Sequence, residues 1–167
     1  MSYTKELKLS LLHVNTKKCC GLSELEALLH TGGELSISGG RPGIDFTTEL
    51  EPLAGRVLSL IRELTGAEPR MLMRRKNQPR RMTLYVIDLD GDKTQIVFEK
   101  FGRDGVLSEI RLPEKECCLR AALRGAFLGC GMLADPNKQY LMEFSASGDM
   151  SGRYIQSLLD KLNISYG

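Results

Sequence analysis

Cys117-Cys118-Leu119-Arg120-Ala121-Ala122-Leu123-Arg124-Gly125-Ala126-Phe127-Leu128-Gly129-Cys130-Gly131-Met132-Leu133-Ala134-Asp135-Pro136 reads as one helix with a hard stop. Leu119, Leu123, Ala126, Phe127 and Cys130 recur at helical spacing and form one apolar face. Gly125, Gly129 and Gly131 are costly there, since a glycine in a helix interior loses about 0.5–1 kcal/mol relative to alanine. Their clustering predicts that another backbone comes close. Gly131 suits a helix terminus, and Asp135-Pro136 blocks any easy continuation. The stretch therefore predicts an interface helix packed tightly against a partner helix.

The partner lies in the same chain. Lys17-Lys18-Cys19-Cys20 echoes Lys115-Glu116-Cys117-Cys118, and 117 minus 19 is 98. At that offset Leu25 meets Leu123, Gly33 meets Gly131, Leu35 meets Leu133, Phe46 meets Phe144, Leu60 meets Leu158 and Leu64 meets Leu162, with no gap. Self-similarity at a fixed offset is the trace of an internal duplication. Two copies imply a pseudo-twofold domain whose central helices pack on each other, as an isologous interface does.

The wider sequence bounds the rest. A chain of 167 residues is one domain or slightly more. No apolar run reaches the roughly 18–20 residues of a membrane helix. Met1 to Lys8 is polar and lacks a signal-peptide core, so a cytoplasmic protein with no membrane partner is expected. Lys and Arg number 23 against 21 Asp and Glu, so any nucleic-acid surface must be local. Five cysteines, an odd number, argue against a disulfide framework. Buried, reduced thiols are the plain reading of Cys19, Cys20, Cys117 and Cys118. A thiolate metal site built from both pairs across the pseudo-axis is the sharper alternative, but vicinal cysteines lack the usual CxxC spacing. The expectation is no metal and no cofactor. His13 and His30 have no second ligand at metal-type spacing.

Taken in order, the chain predicts helices over Thr4–Asn15 and Lys17–Gly33 and a strand over Gly33–Ser38. A turn cluster at Gly39–Gly43 and a return strand over Ile44–Glu49 follow, then a helix over Glu51–Gly66 with Pro52 in its first turn. The glycine turn lacks the lysine-serine pair of a phosphate loop. Strands follow at Met71–Met73 and Met82–Leu89, a helix at Asp92–Phe101 and a linker over Gly102–Pro113. The second copy predicts the central helix, a strand over Tyr140–Ser145 and a helix over Ser151–Leu162. The division expected is a first repeat over 1–112 and a partial second repeat over 113–167, as though the chain were cut inside the second copy. One strong positive cluster stands out between the two later strands: Arg74-Arg75-Lys76-Asn77-Gln78-Pro79-Arg80-Arg81. It reads either as a solvated hairpin tip or as a basic ribbon on a phosphate backbone.

Two copies of helix-strand-strand-helix with a glycine-ended interface helix resemble the LAGLIDADG homing-endonuclease fold, an α+β duplication of αββαββα units. The motif falls on Leu25–Gly33 and on Leu123–Gly131. The sequence is most similar to the WhiA branch, with its KKECC before each motif, LSLSGG strand-turn and RGAFLxGGSxxDP. Here these are Lys-Lys-Cys-Cys at 17–20, Leu-Ser-Ile-Ser-Gly-Gly at 35–40 and Arg-Gly-Ala-Phe-Leu-Gly-Cys-Gly-Met-Leu-Ala-Asp-Pro at 124–136. The resemblance covers nearly the whole chain and lacks the carboxy-terminal helix-turn-helix of that family.

The resemblance also frames the function. Active LAGLIDADG nucleases place one acid per copy at the penultimate motif position to hold divalent metals. Here those positions are Gly32 and Cys130, neither a plausible magnesium ligand, and Glu34 and Asp135 lie beyond the helix ends at non-equivalent places. No enzyme is therefore expected; a metal-dependent nuclease is the remote alternative, and Arg41 and Arg153 have no nucleophile-base pair beside them. What the resemblance implies is a transcription regulator of sporulation or cell division, cytoplasmic or associated with the nucleoid. In it Arg74, Arg75, Lys76, Arg80 and Arg81 would touch DNA phosphates. The alternative is a domain that docks protein partners while the helix-turn-helix of the full-length protein reads DNA.

Overall fold

The computed structural model describes residues 2–102 and 109–167. In chain order the elements are α1 (Tyr3–Leu11), α2 (Lys18–Gly32), β1 (Gly33–Ser38), β2 (Arg41–Thr48), α3 (Glu51–Thr65), β3 (Arg70–Lys76), β4 (Met82–Leu89), α4 (Gly91–Lys100), α5 (Glu116–Cys130), β5 (Gly131–Leu133), β6 (Met142–Phe144) and α6 (Asp149–Lys161). The α+β class is as expected. Part of the expected linker, residues 103–108, lies outside the described residues.

The duplication is visible element by element. Lys18 opens α2 and Glu116 opens α5, while Glu51 opens α3 and Asp149 opens α6, each pair 98 residues apart. The hairpins keep the same register: Gly33 pairs with Phe46 in one and Gly131 with Phe144 in the other, again 98 apart.

Two compact units form, Met1–Gly32 with Ser108–Gly167, and Gly33–Leu107. In the first, α2 and α5 run side by side in the same direction. Their starts meet at Cys20 and Cys118, their middles at Glu24 and Gly125, and their ends at Thr31 and Gly129. A Cβ on Gly125 would overlap the Glu24 carbonyl oxygen, and one on Gly129 would overlap Thr31 Oγ1. Two of the three glycines thus let the helices approach, as the sequence predicts. Gly131 differs: it takes an extended conformation and opens β5, and a Cβ there would strike Phe127 of its own helix.

Ala27, Leu119, Ala122 and Ala126 from these helices are buried with Tyr154, Ile155, Leu158 and Leu159 of α6. His30 is buried and stacks on Tyr154 at 4.4 Å between ring centroids, while Ser151 Oγ donates to its carbonyl oxygen. Thr4 ties α1 to β5 in both senses, donating to the Leu133 carbonyl at 3.1 Å and accepting from its amide at 2.9 Å. Glu24 of α2 has no exposed surface and is paired with Arg124 of α5 at 3.2 Å.

The second unit is a four-stranded antiparallel sheet in the order β1-β2-β4-β3, with α3 and α4 packed on one face. Phe46, Ile44, Ile87 and Leu89 point from the sheet into the buried layer completed by Leu53, Val57, Ile61, Val97 and Phe98. Pro52 lies in the first turn of α3 and Gly66, at φ 76°, closes it, both as predicted.

Several boundaries differ from the sequence reading: the helix expected over Thr4–Asn15 ends at Leu11, and the strand expected over Tyr140–Ser145 is only Met142–Phe144. Only Gly39 and Gly40 make the first turn, at φ 58° and 76°, the signature of a two-residue hairpin loop. Arg41, Pro42 and Gly43 already belong to β2, where Pro42 is tolerated because the pairing with β4 begins only at Ile44. The strand expected at Met71–Met73 runs on through Arg74, Arg75 and Lys76, since an edge strand carries charge without burial. The short β5, directly after α5, has no counterpart in the sequence reading.

Candidate nucleic-acid interface

The basic cluster is the far end of the β3–β4 hairpin. Every residue of β3 is exposed, and Arg74, Arg75 and Lys76 pair across to Leu84, Thr83 and Met82. Side chains alternate faces along a strand, so Arg74 and Lys76 share one face with Arg70, and Arg75 takes the other. The chain then turns, and Arg80 and Arg81 return it to β4. Arg75, Lys76, Asn77, Arg81, Met82 and Thr83 line a groove of about 470 Å³ at this tip. Three of the six lining residues, Arg75, Lys76 and Arg81, are basic.

The five basic residues are not equivalent. Arg80 is held by the Glu49 carboxylate through two contacts of 2.8 and 3.1 Å from one nitrogen, so its charge is already matched. Arg74 faces a row that the sequence reading missed. Glu34, Asp45 and Asp88 stand directly opposite one another on β1, β2 and β4, and Arg70 pairs with Asp88 at the end of the row. Arg70 Nε donates to Asp88 Oδ2 at 2.9 Å, and its Nη2 also donates to that oxygen. Burial raises the Asp45 carboxyl above its usual range, aided by the hydrogen bond and charge of Asp88, while Arg74 works against the rise. The middle of this sheet face therefore carries a row of acids, with Arg70 at its end, and Arg74 and Lys76 lie further along the same face toward the hairpin tip. Period-two alternation, applied to all four strands at once, is the signal that could have exposed this row.

The degenerate motif positions close α2 and α5. Gly32 and Cys130 are the last residues of the two helices. Burial raises the Cys130 thiol, with Lys8 opposing, and burial lowers Lys8 in turn. The Lys8 ammonium sits 5.8 Å from the Phe127 ring centroid. At the two motif positions the chain thus offers a glycine and a protonated thiol, neither of them an oxygen donor for a divalent metal.

At the opposite end, the structure gathers the two cysteine pairs. The sulfurs of Cys19, Cys20, Cys117 and Cys118 all lie within 4.8 Å of one another. Burial pushes the Cys20 thiol up to about 12 and raises Cys118, while Cys19 is lowered, chiefly by its hydrogen bond with Cys118. His13 and His30 are not part of this cluster. Among the described residues, no helix is long and apolar enough to cross a membrane.

Comparison with known proteins agrees with the architecture. The family model of the WhiA N-terminal LAGLIDADG-like domain matches residues 18–102, and that of the WhiA LAGLIDADG-like domain matches residues 119–167. The probable cell division protein WhiA of Geobacillus thermodenitrificans is 30% identical over 166 residues, covering 96% of this chain and 52% of the relative. That of Heliobacterium modesticaldum is 31% identical over 182 residues, covering 98% and 54%. That of Bacillus mycoides is 35% identical over 141 residues, covering 81% and 45%. The chain thus spans about half the length of these relatives. Two crystal structures share the fold. One is the N-terminal LAGLIDADG domain of DUF199/WhiA, with TM-score 0.71, 19% identity, and coverage of 99% of this chain and 77% of that one. The other is full-length DUF199/WhiA from Thermatoga maritima, with TM-score 0.67, 20% identity, and coverage of 100% and 53%.

Proposed function

This chain belongs to the WhiA family, and from that premise we propose that it is a non-catalytic, DNA-contacting module of a transcription regulator acting in cell division or sporulation. The observation that carries the reading is the exposed basic tip of the β3–β4 hairpin and its open groove. Arg74, Arg75, Lys76 and Arg81 lie against phosphates, and Arg80 joins them when Glu49 releases it. Each phosphate neutralised frees a counterion, so affinity falls steeply with salt. The acidic row at Glu34, Asp45 and Asp88 repels a backbone from the centre of the sheet, which limits the footprint to the tip. Such contacts position a protein on a duplex and supply little sequence preference.

The test is binding of this chain to a labelled duplex across a salt series, beside a variant with Arg74, Arg75, Arg80 and Arg81 changed to alanine. Binding that weakens steeply with salt and collapses in the variant supports the reading. A folded chain that fails to bind at low salt overturns it.

A second reading has its own observation. The opposite edge strand, β1, exposes Leu35 at 53% and Ile37 at 81%. An open edge carrying apolar side chains is a template for an added strand. In this reading the module docks a protein partner, and specific DNA contacts fall to a helix-turn-helix outside residues 1–167. Proline substitution at Ile37 abolishes partner capture in this case and leaves duplex binding unchanged.

A further inference from the structure

We propose that Cys19, Cys20, Cys117 and Cys118 form a four-thiolate site for one zinc ion, clamping the starts of α2 and α5 together. The cysteines are the second and third residues of their helices, so four sulfurs from two first turns converge on one point. Zinc–sulfur bonds of about 2.3 Å in a tetrahedron place the sulfurs about 3.8 Å apart. Cys117 and Cys118, neighbours in sequence, already stand 3.9 Å apart, and no pair exceeds 4.8 Å. Vicinal residues therefore do not prevent a shared centre; the required inward movement is under about an ångström.

The surroundings suit the charge. Four thiolates around Zn²⁺ carry a net charge of −2, and two helix N-termini, each equivalent to about half a positive charge, face it. Lys115, the residue immediately before α5, brings a further positive charge to this end of the helix. Cys20 and Cys118 are buried at the base, Cys19 is half-buried and Cys117 is exposed, which leaves an entry path on one side. Four protein ligands leave no open position, so the site is structural. Uptake exchanges the thiol protons for the metal, four thiols giving one Zn(SR)₄²⁻ centre and releasing up to four protons, with no change of oxidation state. Disulfides are the competing chemistry, but they need sulfurs about 2.05 Å apart and a reaction with an oxidant. Cys130, at the far end of α5, lies outside the cluster and serves as the control.

The probe is cobalt(II), titrated into the reduced, metal-stripped 167-residue chain without oxygen. The expected result is one cobalt per chain, with strong visible bands and a thiolate charge-transfer band, both lost on adding one equivalent of zinc. Cys19→Ser and Cys117→Ser weaken binding by more than about tenfold, whereas Cys130→Ser leaves it unchanged. A pale six-coordinate spectrum, or a spectrum unaltered in Cys19→Ser and Cys117→Ser, overturns the proposal. Should those variants fail to fold, alkylation of the native chain decides the matter. Zinc protecting the four clustered thiols but not Cys130 supports the site, and equal reaction of all thiols with and without zinc rejects it.

Discussion

Gly125 lies so close to Glu24 that a single methyl group at this position would overlap the Glu24 carbonyl oxygen. The obstacle is main chain, which cannot swing aside, so Gly125→Ala forces α5 away from α2 and should cost about 1–3 kcal/mol. Gly55→Ala provides the contrast. Gly55 sits within α3 with nothing inside 4 Å of an added Cβ, so alanine there should stabilise by about 0.5–1 kcal/mol. Denaturant unfolding of both variants checks the pair, and equal effects would remove the close-packing explanation for the glycines.

Glu24 and Arg124 are a buried ion pair between the same helices, with side-chain exposures of 0% and 14%. Removing one partner breaks an ion pair made where water is largely excluded. Arg124→Met should destabilise by about 3–5 kcal/mol, and adding Glu24→Gln should recover much of the loss. A double-mutant cycle by chemical unfolding reads the coupling; simple additivity would contradict it.

Asp45 carries a raised carboxyl pKa in the folded chain. The folded state therefore binds this proton more tightly than the unfolded state. That stabilisation is full below the ordinary value of 3.8 and is lost as pH rises through the folded value. At neutral pH the charged Asp45, opposite Asp88, is a cost. Asp45→Asn should raise stability at pH 7 by up to about 1 kcal/mol, and the gain should vanish below pH 3.8. Melting curves at the two pH values decide it.

Cys130 is also raised, by burial. Its thiol keeps its proton in the folded chain at a pH where the unfolded chain has lost it. This contribution is present below 9.0 and declines as pH climbs beyond it. Cys130→Ala should flatten the loss of stability above pH 9, as followed by unfolding under reducing conditions.

The DNA reading ranks the arginines. Replacing a free phosphate contact such as Arg75 by alanine should lower the slope of log affinity against log salt by about 0.9. Arg80→Ala should change it less, because Glu49 already neutralises Arg80, and Glu49→Ala should steepen the slope by releasing it. Equal slopes for Arg75→Ala and Arg80→Ala would count against the tip as the contact surface.

Much of this molecule could be read from spacing alone. The vicinal cysteines and the leucine and phenylalanine anchors share one offset, so the duplication and the paired helices were legible in the order of residues. Gly125 and Gly129 announced the close approach because glycine is costly in a helix without a reason. The three-residue β5 was hidden because it follows α5 without a turn and is too short for alternation to show. The charged end of β3 looked like loop, since edge strands need no apolar pattern. Glu24 could have been suspected, lying four residues from both Cys20 and Leu28 on the buried face of α2. The convergence of four sulfurs was beyond sequence spacing, for it depends on how two helices from distant parts of the chain are packed.

That distance has a further consequence in the cell. α2 and α5 are separated by 98 residues, and a ribosome adds about 5–20 residues per second. The first helix is therefore complete roughly 5–20 s before its mate exists. Throughout that interval its packing face, with Glu24 among leucines, has nothing to close against. Slowing synthesis between the two copies should therefore increase the yield lost to aggregation.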